Sequence, residues 1–249
     1  MADGATIWNK VMTAAMRLPG VKVDRDAFLA AELKPYCSIE QLAQAGFNPV
    51  GLVAKSRIDA IADACIRNHT ITVTATSMAA GLPGGLAMAA TIPGDTAQYC
   101  WHTLVLAQKL AYLYGIPDLR DESGHLTEAS RQMLTLFVGV MMGAAVADSA
   151  VKKISQSLAT QVAEHLSQKA LPQTFYYPIV KRVARWIGIN ITEKSFGRTV
   201  SKAIPLVGGM VSGRLTYVAF GRAAKRLQAK LQEQMYQLEP AHSDSAPCK

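Results

Sequence analysis

Apolar positions recur at helical spacing along almost the whole chain, and alternating strand patterns are nearly absent. The best alternating run, Ile71-Thr72-Val73-Thr74, leads straight into an Ala/Gly/Met stretch. A first helix is predicted over Gly4 to Leu18, with Ile7, Val11, Ala14 and Ala15 on one face and Pro19-Gly20 as the stop. Asp24 is placed to N-cap a short helix carrying Phe28 and Leu29. Ser38, with Gln41 at the capping-box position, starts a third helix that Gly46 and Pro49 close.

The middle of the chain differs in kind. From Asn68 to Gly94 there are 27 residues without an Asp, Glu, Lys or Arg. The length suits a membrane span. The composition, rich in Ala, Gly and Thr, does not, and Gly81-Leu82-Pro83-Gly84-Gly85 and Pro93-Gly94 interrupt it. The stretch reads as two closely packed helical pieces joined at a Pro-Gly elbow, because small residues let helix backbones approach. Buried core and a re-entrant or interfacial hairpin both fit it. A helix is then predicted from about Asp95 to Tyr114, ended by Gly115-Ile116-Pro117. Thr127 caps another, whose later part, Gln132 to Ala147, is again uncharged and belongs in the centre of the fold. Asp148 to Lys169 is amphipathic, a basic helix runs up to Gly188, and Ile204-Pro205-Leu206-Val207-Gly208-Gly209 leads into a long last helix ending near Gln237. The pattern predicts an all-α multi-helix bundle with Gly/Pro-broken central helices. Residues 1–237 form one helical domain in this reading, and 238–249 a disordered tail.

Charge adds a second theme. The chain of 249 residues carries a formal +8. Between Lys181 and Lys230 there are 11 basic residues and one acid, Glu193. The rest is close to neutral. That asymmetry suits an anionic membrane surface or an acidic protein face, and an ordinary solvated basic face fits it too. Nucleic acid is disfavoured, because no RNP, zinc-finger or basic-region motif occurs and the interleaved residues are mostly aliphatic. In the last helix Arg222, Arg226 and Lys230 align, with Lys225 beside them and Arg214 upstream; Leu215, Val218, Leu227 and Leu231 supply apolar area.

Motifs for chemistry are sparse. Cys37, Cys65, Cys100 and Cys248 form no C-x-x-C pair, and the five histidines form no H-x-x-x-H pair, so neither metal nor cofactor is expected. Gly209-Met210-Val211-Ser212-Gly213 is not a nucleophile elbow, because Met210 stands where the first motif position needs Gly, after no strand. No phosphate-binding G-x-x-x-x-G-K-[ST] is present. The sharpest polar set is Asp95, Gln98, His102, Lys109 and Tyr112, stacked on one face of the helix after Pro93. Together with Gly81, Pro83, Gly84 and Gly85 of the elbow, Asp95, Gln98 and His102 make the candidate binding face. Asp95 also suits an N-cap, and Gln98 and His102 suit buried hydrogen bonding. No export signal is read in Met1 to Gly20, so a cytoplasmic setting is expected.

The ordered set Leu18-Pro19-Gly20-Val21, Ala80-Gly81-Leu82-Pro83-Gly84-Gly85, Pro93-Gly94-Asp95, Gln108 to Gly115, and Ile204 to Gly209 with Ser212-Gly213 and Thr216-Tyr217 resembles the bacterial EcsC family. The resemblance spans roughly residues 8 to 232. It implies a helical protein associated with an ABC-transporter operon, related to domains fused to or beside dynamin-like or other GTPases. It supplies no catalytic residues. The leading expectation is a non-enzymatic peripheral membrane or adaptor protein, cytoplasmic and reaching the inner face of the membrane. It would work with a transporter or GTPase-type partner through Arg214, Arg222, Lys225, Arg226 and Lys230. The alternative is a hydrophobic-ligand or lipid-binding protein whose cavity is lined by the glycine elbows. An enzyme using Asp95 and His102 is the third reading.

Overall fold

A computed structural model describes residues 4–81, 88–121, 123–151, 180–185 and 205–236. Seven helices organise it: α1 (Gly4–Ala15), α2 (Arg25–Leu33), α3 (Ile39–Gln44), α4 (Lys55–Gly81), α5 (Met88–Leu113), α6 (Glu128–Met142) and α7 (Pro205–Tyr236). Residues 145–151 and 180–185 are also helical. Among the described residues there is no strand, only an isolated bridge between Arg120 and Leu126. The fold is an all-α helical bundle.

The caps read from the sequence are formed. Asp24 accepts the Ala27 N–H at 2.9 Å. Ser38 and Gln41 make a reciprocal capping box, and Thr127 accepts the Ser130 N–H at 3.1 Å. These side chains satisfy backbone donors that an isolated helix start leaves open.

Helix α5 is central: α1, α2, α4, α6 and α7 all pack on it. Its stretch from Leu104 to Ala107 and from Leu110 to Leu113 is buried almost without interruption. Gln108, inside that stretch, is fully buried. Its Oε1 accepts the Val23 N–H, and its Nε2 donates to Val21 O and Leu104 O. The segment after Pro19-Gly20 is thereby tied to the core through backbone groups. Trp8 of α1 reaches Thr135 of α6 through its indole N–H at 3.1 Å.

Two expectations about helix ends change. Helix α5 does not begin at Asp95; it runs from Met88 through Pro93-Gly94, so Asp95 lies inside it and is no N-cap. Pro93 falls in the second turn, where it forfeits a single i→i−4 bond, and the tertiary contacts of a 26-residue helix outweigh that loss. The uncharged run Gln132 to Ala147 is not one helix either. Gly143 adopts φ +85°, its N–H donates to Val140 O, and the Ala144 N–H donates to Gly139 O, which ends α6.

The second glycine-rich segment, Pro205 to Gly213, is helical rather than an elbow. It comes close to α4 at Gly213, where an added Cβ would run into the Met78 side chain. Another contact of this type is less forgiving. A Cβ at Gly139 would meet Val183 Cγ1 at 2.5 Å and Ala147 Cβ at 2.9 Å. Neither neighbour has a flexible end to move. Gly139→Ala is therefore expected to lower stability by about 2 kcal/mol despite its better helix propensity, read as a reduced denaturant midpoint at constant m.

Candidate functional site

Helices α4 and α5 form an antiparallel pair on either side of residues 82–87, and their polar groups meet in register. At the far end Tyr114 donates to Asp59 at 2.7 Å. Midway, the two histidines meet: His69 Nδ1 and His102 Nδ1 are 3.0 Å apart, and both rings are buried. The Trp101 ring lies edge-on to His102 at 4.7 Å and roughly parallel to His69 at 6.4 Å. The Trp101 indole N–H donates to Pro19 O at 3.0 Å, which fixes the ring.

Desolvation dominates the electrostatics of this pair. It pushes His69 down to about 3, with the Lys109 charge and then His102 acting in the same direction. His102 is lowered by desolvation and by Lys109. Both rings are therefore neutral near pH 7, with one Nδ1–H donating to the other ring's Nδ1. Their tautomers are complementary, so fixing one fixes the other. Burial also pushes Cys65 up to about 11 and Cys100 up to about 12, which keeps both as thiols. The pair is thus an internal tie between two helices. Among the described residues no group of three or more His, Cys, Asp or Glu side chains is placed to hold a metal ion.

The predicted polar face of α5 is divided. His102 points to His69, Lys109 sits over the Phe28 ring at 5.3 Å, and Tyr112 is buried, accepting the Leu119 N–H and donating to Asp118. Gln98 is half-buried. Gly81 is the last residue of α4, Asp95 is interior to α5, and Pro83, Gly84 and Gly85 lie outside the described residues.

The basic face of α7 is more revealing. Helix α7 packs antiparallel on α4, with Gly221 opposite Thr70 and Gly213 opposite Met78. Asp63 of α4 accepts from Lys225 Nζ at 2.6 Å and from Gln228 Nε2 at 2.7 Å. Gln228 continues the network to Tyr114 at 3.3 Å. Partial burial raises the Asp63 carboxyl, but these two hydrogen bonds outweigh it and hold the group below the usual carboxylate value. Lys230 pairs with Glu233 at 2.9 Å. Arg226 donates to Met141 O, at the end of α6. Of the five cations in the predicted anionic-partner face, Lys225, Lys230 and Arg226 are thus engaged within the chain. Arg214 and Arg222 are exposed, with no ion pair among the described residues.

Beside those arginines the surface is apolar. Leu215 is 65% exposed, Tyr217 50% and Ile71 51%, and Val218 and Met78 are exposed too. Register places Ile71 and Met78 of α4 alongside residues 213–221 of α7, so these residues share one end of the helix pair. Threonines on this stretch of α4 turn their hydroxyls inward: Thr72 donates to Asn68 O and Thr76 to Thr72 O. That self-satisfaction leaves the outer surface less polar than its composition suggests.

Sequence reasoning missed Ile71, Met78 and Tyr217 as part of this surface and His69 as the partner of His102. A signal for the last was present. His69 lies sixteen residues before Gly85 and His102 seventeen after it, as residues facing each other across a hairpin must. Comparison with protein-family models, with curated proteins and with solved structures returns no match for this chain. Among the described residues, no helix is long and apolar enough to cross a membrane.

Proposed function

We propose that the protein is a non-enzymatic peripheral protein that rests the outer end of the α4–α7 pair on an anionic membrane surface. The supporting observation is the interleaving of exposed Arg214 and Arg222 with exposed Leu215, Tyr217 and Val218, continued on α4 by Ile71 and Met78. A basic helix face carrying aliphatic and aromatic side chains suits shallow burial at the headgroup boundary, with guanidinium groups on lipid phosphates.

Magnitudes set the mode. Each basic residue near an anionic bilayer contributes about 1 kcal/mol. Partial burial of three apolar side chains adds about 1 kcal/mol each. The sum, about 5 kcal/mol, corresponds to a dissociation constant between micromolar and millimolar. With Lys225, Arg226 and Lys230 engaged internally, attachment is weaker than five free cations would give. Stable residence then needs a second contact, which fits an adaptor acting with a transporter or GTPase-type partner, as the EcsC-like motif order suggests. A cytoplasmic location at the inner membrane face belongs to the same proposal.

Vesicle flotation tests it. The wild type is expected to float with anionic vesicles at low salt and to be released at high salt. The R214Q/R222Q variant should bind about thirtyfold more weakly, the equivalent of about 2 kcal/mol. Leu215→Ser with Val218→Ser should remove the salt-resistant remainder. Equal binding to neutral and anionic vesicles, or indifference to R214Q/R222Q, would defeat the proposal.

A further inference from the structure

At the opposite end of α6 from Arg226, a cleft of about 340 Å³ opens between the C-terminal end of α1 and the first turn of α6. Arg17, Lys22 and Arg131 line it, together with His125, Thr13 and Glu128. Its size is at the small end of metabolite pockets. Neither the α4–α7 surface nor the histidine pair involves it.

Each cation stands on a fixed backbone. Lys22 lies between Val21 and Val23, the two residues held by Gln108. Arg17 lies two residues past the end of α1, its N–H donating to Ala14 O at 3.2 Å, and the same loop is anchored at Pro19 O by Trp101. Arg131 is in the second turn of α6, its N–H donating to Thr127 O at 3.0 Å. His125 is presented by a tight turn in which Asp121 Oδ1 accepts the Ser123 and His125 N–H groups, both at 2.9 Å.

Arg17, Lys22 and Arg131 form no ion pair among the described residues, unlike Arg25, Arg120, Lys225 and Lys230. Three cations against the one carboxylate of Glu128 leave the cleft net positive on ordered backbone, a field that an anion there relieves. Two guanidinium groups and an ammonium suit a phosphate monoester better than a carboxylate, because the monoester offers them three terminal oxygens and close to two negative charges where a carboxylate offers two oxygens and one charge. Glu128 and Thr13 offer acceptors on the same wall, which the hydroxyl groups of a polyol ester can meet and an anion without O–H groups, such as sulfate, cannot.

We infer that this cleft binds the phosphate monoester of a small polyol, with Arg17, Lys22 and Arg131 on the phosphate and Glu128 and Thr13 on the hydroxyl groups. Such a group occurs in soluble sugar and glycerol phosphates and in phosphoinositide headgroups.

Calorimetric titration of the full chain with glycerol 3-phosphate, at fixed ionic strength, is the direct test. Saturable binding of one equivalent is expected, weakened at least about tenfold in R17Q/R131Q and measurably in Lys22→Gln alone. Circular dichroism and the thermal midpoint establish that the variants are folded. R214Q/R222Q should bind glycerol 3-phosphate like the wild type, which separates this site from the membrane surface proposed above. If glycerol 3-phosphate gives no heat but vesicles containing phosphatidylinositol 4-phosphate capture the protein in an Arg17- and Arg131-dependent way, the same chemistry holds with a lipid source. Absence of binding to both probes would overturn the inference. So would binding that survives R17Q/R131Q, or that sulfate reproduces at equal affinity.

Discussion

Between pH 6.5 and pH 4.5 the protein is expected to lose several kcal/mol of stability, through the buried pair His69 and His102. The folded-state value of His69 is depressed to about 3 against an ordinary 6.5. Below pH 6.5 the unfolded chain takes up a proton that the native state refuses, so the unfolded state binds more protons and stability falls with falling pH. The slope for one such group rises to about 1.4 kcal/mol per pH unit from about half that value at pH 6.5, or about 2.3 kcal/mol over the two units. His102 is shifted in the same direction and steepens the fall. Asp24 and Asp63 are lowered from 3.8, so their contribution is lost mainly below this window. Denaturant midpoints at pH 6.5, 5.5 and 4.5 check the effect. A H69Q/H102Q variant should be less stable at pH 6.5, because the inter-helix hydrogen bond is replaced, yet nearly flat across the window. A wild type as stable at pH 4.5 as at 6.5, or a double variant with an unchanged slope, would show that the pair does not stay neutral in the fold.

The histidine pair also shows what the sequence could and could not convey. Caps were legible because their physics is local: Asp24, Ser38 and Thr127 each act on an N–H three residues away. The all-helical class was legible from periodicity. Where tertiary contact outweighs local preference, the reading failed. Pro93 does not start a helix, because one missing bond costs less than the packing of α5 gains. Gly143 ends a run that looks uniformly helical, and nothing in the apolar pattern distinguishes it from Gly139, which stays helical three positions inside α6. Charge counting failed for a related reason. The count between Lys181 and Lys230 is correct, yet Lys225 meets Asp63 from 162 positions away. Net charge over a segment does not reveal which acids the fold carries to it. For the proposed surface, the basic residues of α7 were legible, while the internal contacts of Lys225, Arg226 and Lys230 and the exposed Ile71 and Met78 of α4 beside it needed the helix pairing.

Replacing Gln108 by Leu is expected to lower stability by about 3 kcal/mol, although the change puts an apolar side chain into a fully buried site. Area alone predicts a gain. Hydrogen bonding reverses the sign. The Leu side chain leaves the Val23 N–H and the Val21 carbonyl without their partner, and each unmet buried backbone group costs about 1–3 kcal/mol. Leu104 O still accepts its own helical bond, so it adds little. For a chain of this size the loss corresponds to about 10 °C in thermal midpoint. Gln108→Glu should be no better, since a carboxylate accepts from Val23 but cannot donate to Val21 and is placed where water does not reach. The local consequence separates this account from a general loosening. Gln108 holds the two residues that flank Lys22, so the variant should lose affinity for glycerol 3-phosphate while the vesicle binding of Arg214 and Arg222, on a different helix pair, is unchanged in conditions where the fold persists. A thermal midpoint within two or three degrees of wild type would mean that these backbone groups find water or other partners, and that the clamp on the 21–23 segment is dispensable.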